Sequence, residues 1–173
     1  VSLAFDEAYL NTDGAYARYR RATLWNQADP SQPDETLLAF LLTLKKDAHP
    51  HGGAHFYASP NSDLLGILIE RATGERYAEV LSTCLWKPLG AKNHASVTVD
   101  AEGTARAAGG ISVTARDLAR VGEMLRNGGT AAGNRLIPEA WLADMLTAGD
   151  HQAWVDGKSN FFPKGRYRSQ WYQ

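Results

Sequence analysis

The sequence predicts a mainly helical chain with short β elements, and three observations carry that prediction. Two stretches open on capping-box patterns, Ser31 to Asp34 and Thr114 to Asp117, and run into apolar residues at helical spacing. Only "ASVTVD" at 95–100 alternates like a strand. The aromatic tail "FFPKGRYRSQWYQ" divides about a Pro-Lys-Gly turn, as a hairpin would.

The elements follow in order. "SQPDETLLAFLLTLKK" has Pro33 in its first turn and predicts a helix to about Lys46; its apolar core at 37–44 is too short to cross a bilayer. A loop rich in glycine and histidine, "DAHPHGGAH", follows. Ser59 or Asn61 then caps a helix in which Leu64, Leu65, Leu68 and Ala72 face inward until Gly74 ends it. "ERYAEVLSTCLW" places Tyr77, Val80, Leu81, Cys84 and Leu85 on one face before Pro88 and Gly90 stop it. The Thr114 helix turns Leu118, Val121 and Leu125 inward and ends at Asn127-Gly128-Gly129, and "PEAWLADML" forms a short Pro-led helix. Trp25, Trp141, Trp154 and Trp171 are expected in the core.

Composition bounds the function. The 173 residues are 44% hydrophobic, which suits one domain over 1–173, and no repeat or linker divides them. A net charge of -1 supplies no basic field for nucleic acid or an anionic membrane. The single cysteine, Cys84, forms no internal disulfide, and its helical face predicts a buried structural thiol rather than a nucleophile with His94 as base. His49, His51 and His55 match no helical ligand pair and read as solvated loop residues, so no metal and no other cofactor is expected.

"YASPN" at 57–61 supports two readings. In one, Tyr57 packs beneath an ordinary helix cap. In the other it is an acid-base residue with Ser59 and Asn61 as hydrogen-bond partners. The wider context favours the second. Tyr57-Ala58-Ser59-Pro60-Asn61, then "LLG" at 64–66, "ERATG" at 70–74 and "AAGGISVTARDLARVG" at 107–122 together resemble the penicillin-recognising serine hydrolases. Within them the likeness is to class C β-lactamase-like esterases and amidases of the 6-aminohexanoate-oligomer hydrolase type.

That resemblance implies the helical domain of a β-lactamase/transpeptidase-like α/β fold, acting on a small ester or amide through an acyl-enzyme. It implies Tyr57 as the acid-base residue, with Ser59 and Asn61 as alternatives for its asparagine partner. Gly109 and Gly110 offer close backbone approach to substrate, or else a tight turn into the Thr114 cap. The family's Ser-x-x-Lys nucleophile motif occurs at no serine of this chain. "HGG" at His51 and "KSN" at Lys158 imitate its third motif but read as loops. A free phenol ionises near pH ~10, so a tyrosine base needs the cation that this lysine would supply. The sheet domain with the nucleophile is therefore expected mainly outside this chain, in keeping with the absent initiator methionine. The chain alone is then inactive, and an uncovered tail strand would favour a homodimer. A different class of function, a non-catalytic helical module that binds or senses through the loop at 52–61, is the alternative.

Overall fold

The computed structural model describes residues 3–5, 14–27, 30–157 and 162–173, and they group into two compact units. The first comprises Val1–Ala48, Tyr57–Val80 and Ala95–Ser112. The second comprises His49–Phe56, Leu81–His94 and Val113–Gln173.

In the first unit, α1 (Ala15–Ala22) is a helix that no capping pattern announces, because Gly14 at its N-cap makes no side-chain bond. Its buried residues Ala17, Tyr19 and Ala22 face α2 (Leu37–Thr43). Here the expectation is corrected. The cap is Thr36, whose hydroxyl accepts from the Ala39 N–H at 3.2 Å, and not Ser31. The Leu37 N–H goes to the buried Asp100 carboxylate at 2.9 Å, so a residue 63 positions away shares the capping. The helix stops at Thr43 instead of Lys46 because the chain turns extended at Leu44, and Lys45 and Lys46 pair with the segment at Leu3 and Ala4. Phe5, Tyr19 and Phe40 meet in the core, with Phe5 edge-on to the other two at 5.7 and 6.1 Å.

The helix α3 (Ser59–Thr73) is capped at Ala58 without a side-chain bond, and Ser59 is its first residue with Pro60 in the first turn. Neither Ser59 nor Asn61 is the cap. Gly74 ends it in the left-handed conformation, as its sequence position indicated. Of the residues that periodicity turns inward, only Leu64 packs against the core, and most of the inner face lies elsewhere. Ser59, Pro60, Asp63, Gly66 and Ile67 are buried, whereas Leu65 and Leu68 are half exposed and Ala72 is exposed. A small residue and an acid on the inner face let another segment come close, as described below. α4 (Tyr77–Leu81) is a single short turn, and β1 (Ser96–Val97) pairs antiparallel with β2 (Ile111–Ser112).

In the second unit the stretch expected to continue one helix is a π-helix over Ser82–Trp86. The wider turn rotates the later side chains off the original face, so Cys84 is exposed and not buried. α5 (Ala115–Arg126) is capped by Thr114 as expected, its hydroxyl accepting from the Asp117 N–H at 3.2 Å. Its buried positions are Asp117 and Met124; Leu118 points outward, correcting its inward placement. A two-residue ladder, β3 (Thr130–Ala131) with β4 (Asn134–Arg135), leads to α6 (Glu139–Thr147) and α7 (His151–Asp156). The tail hairpin forms between β5 (Tyr167–Arg168) and β6 (Trp171–Tyr172), but it turns at Ser169 and Gln170 and not at the Pro-Lys-Gly stretch. Both turn residues have positive φ, 49° and 68°, the geometry that fits the twist of a two-residue hairpin loop. Of the four tryptophans expected inside, only Trp154 is buried; Trp25, Trp141 and Trp171 are 44–57% exposed.

Candidate active site

The candidate residues all lie in the first unit. Tyr57 stands just before α3 and is 44% exposed, so it is not packed beneath a cap. Ser59 is buried at the first position of α3, and Asn61 is half-buried, its N–H donating to the Ala58 carbonyl at 3.0 Å. The turn at 106–110 carries the other candidates. Gly109 has φ 153° and is exposed, while Gly110 is buried. A Cβ on Gly110 would lie 2.1 Å from Thr98 Oγ1 and 3.0 Å from the Arg106 carbonyl oxygen. Glycine is thus required at Gly110 by close approach within the strand pair, and the reading of a turn into the Thr114 cap is too weak.

What joins this turn to α3 is a residue that sequence reading passed over. Asp63, fully buried one helical turn after Ser59, accepts the Ala108 N–H at 2.8 Å on Oδ1 and the Tyr19 hydroxyl on Oδ2. Burial pushes its carboxyl above the usual carboxylate range, against the pull of the Tyr19 and Ala108 donors and the Arg106 charge. Burial, and then the Asp63 charge, push the Tyr19 phenol well above its ordinary value, which keeps it a donor. Arg106, itself buried, lies over the Tyr19 ring at 5.6 Å and the Trp25 ring at 4.3 Å. Three residues on from Asp63, a Cβ on Gly66 would meet the Ala107 Cβ at 2.8 Å. The small-and-acidic face of α3 is therefore the seat of the turn. The only sequence signal for it is the i, i+4, i+7 run of Ser59, Asp63 and Gly66.

Other features stand apart. A cleft of about 710 Å³ bordered by Arg18, Arg21, Glu35 and Glu102 includes none of the candidate residues. In the second unit His55 is half-buried rather than solvated; burial lowers its pKa, and its ring lies 5.1 Å from Trp154 and 4.8 Å from Tyr167. His51 is exposed on its loop, and Lys158 lies outside the described residues.

A mainly helical chain with short β elements, a glycine-rich turn seated on its central helix and a tyrosine at that helix's mouth is the helical part of a β-lactamase-like fold. The Beta-lactamase family model matches residues 10–170, and the chain belongs to that family. It is 39% identical over 173 residues to the 6-aminohexanoate-dimer hydrolase of Paenarthrobacter ureafaciens, covering 99% of this chain and 43% of that protein. A solved structure from Bacillus anthracis, assigned provisionally as a 6-aminohexanoate-dimer hydrolase, superposes with a TM-score of 0.82. That match is 24% identical and covers 99% of this chain and 44% of the other. The chain thus spans less than half the length of the relatives it matches.

Proposed function

We propose that the intact protein hydrolyses a small ester or linear amide through an acyl-enzyme, with Tyr57 moving the proton. A serine from a Ser-x-x-Lys pair outside these residues attacks the carbonyl carbon, and its proton passes to the Tyr57 oxygen. Tyr57 then gives that proton to the departing amine or alcohol. A water molecule next attacks the acyl-serine, releasing the acid and restoring the serine hydroxyl. Ser59 or Asn61 supplies the hydrogen bond that orients Tyr57 and the substrate, and the Gly109-Gly110 turn admits the chain of the substrate close to the backbone.

The observation that carries this reading is the exposure of Tyr57 at the entrance to a helix whose neighbouring residues are buried. A proton-transfer tyrosine must meet substrate, and this exposure allows it. The 39% identity to a 6-aminohexanoate-dimer hydrolase points to short linear amides as the first substrates to try. In the intact protein, Tyr57→Phe keeps the ring and removes the hydroxyl. Turnover of 6-aminohexanoate dimer and of a p-nitrophenyl ester should fall by roughly 10²- to 10⁴-fold, as for other lost acid-base groups, with melting unchanged. Parental turnover by the variant would reduce Tyr57 to a surface aromatic.

A further inference from the structure

The hydrolase reading assigns no task to the acid buried inside α3, yet the local geometry converges on it. Asp63 binds the Ala108 N–H at 2.8 Å and takes the Tyr19 hydroxyl on its other oxygen. Gly66, three residues along the same face, lets Ala107 come so near that a Cβ would lie 2.8 Å from it. Ser59 is buried four residues before Asp63, which puts all three on one stripe of the helix. The turn bearing Gly109 and Gly110 is therefore bound at two successive peptide units, 107 and 108, to the helix whose first residue is Ser59.

We propose that Asp63 is a positioning residue: it fixes the Gly109-Gly110 turn relative to Tyr57, Ser59 and Asn61, so that substrate lying on the turn meets the proton-transfer group in register. This role rests on the hydrolase reading and gives that site a supporting part it otherwise lacks. A carboxylate suits the task because each of its oxygens accepts from a different partner. Tyr19 orients one oxygen from α1, which leaves the other aimed at the Ala108 amide. Removing both acceptors leaves that amide without its bond and frees the turn to shift, and a displacement of about 1 Å at a reacting centre can cost about 10²-fold in rate.

The test uses three variants of the intact protein alongside Tyr57→Phe, with kcat, KM, melting and amide hydrogen exchange at Ala108 measured for each. Asp63→Leu keeps the branching at Cγ, with larger methyl groups, and removes both acceptors; kcat per folded molecule should fall about 10²-fold, and the Ala108 amide should lose protection. Asp63→Asn keeps an oxygen for Ala108 and should recover most of the loss. Gly66→Ala leaves the carboxylate in place but pushes Ala107 away, so it should lower kcat even if Asp63→Leu does not fold. Parental kcat in folded Gly66→Ala and Asp63→Leu, with Tyr57→Phe inactive, would overturn the positioning role alone. Full turnover by Tyr57→Phe would instead remove Tyr57 as the proton-transfer group, and with it the site that Asp63 is proposed to position.

Discussion

At the scale of single residues, glycines in this chain differ sharply in what they permit. Gly110 is buried against Thr98, with only 2.1 Å between a built Cβ and Oγ1, whereas Gly122 sits in α5 with nothing within 4 Å. Gly110→Ala should therefore destabilise by about 1–3 kcal/mol through overpacking. Gly122→Ala should stabilise by about 0.5–1 kcal/mol, because alanine loses less backbone entropy in a helix. Denaturant midpoints at constant slope measure both, and equal signs would show that the close approach at Gly110 is not maintained in solution. Sequence alone ranks these two glycines poorly, since what separates them is a hydroxyl twelve residues away. The same holds for Asp63. An acid among leucines reads as a solvent-facing position, and its partners Tyr19 and Ala108 lie 44 and 45 residues off. Tyr57 is a candidate on its neighbours in sequence and not on its contacts.

At the scale of elements, local signals succeeded where the helix end satisfies itself and failed where a distant residue intervenes. Thr114 caps α5 as the pattern says, although the Asp117 carboxylate turns to Lys92 and Asn93, whereas the start of α2 moved to Thr36, with Asp100 taking the Leu37 amide. Apolar periodicity misjudged α3 because its inner face is selected for closeness rather than for hydrophobic area. α5 carries the clearest pH dependence. Asp117, buried, accepts from the Lys92 N–H at 2.9 Å, the Asn93 N–H at 3.1 Å and side chain at 2.9 Å, the Thr114 hydroxyl at 2.8 Å and Arg120 at 2.7 Å. Led by the Lys92 amide and the Asn93 side chain, these donors hold its carboxyl well below the usual carboxylate range. Its folded-state value is depressed, so the stability it adds is complete above the unfolded value of about pH 4 and is lost as pH falls through the lower, folded value. The stability gap between the parent and Asp117→Asn should therefore be constant from neutral pH to about pH 5 and close only in stronger acid. A gap that widened on acidification would show that Asp117 is not ionised among these donors.

At the scale of the whole molecule, composition and the Tyr57 motif led to the family, while the two-unit arrangement was not visible as any linker. The nucleophile the reading requires is absent from these residues, since no serine has lysine three positions on. A fluorophosphonate probe should accordingly label the intact protein once and leave the 173-residue chain unmodified. A stoichiometric adduct on any of its serines would place the chemistry inside this chain after all. The first unit is drawn from Val1–Ala48, Tyr57–Val80 and Ala95–Ser112, with stretches of the second unit between them. No single contiguous piece of gene encodes it. A recombination breakpoint anywhere between Asp63 and Ala108 would import a turn that has never coexisted with this acid, and a breakpoint between Tyr19 and Asp63 would do the same to the phenol. Descent should therefore have kept the three stretches as one inherited block.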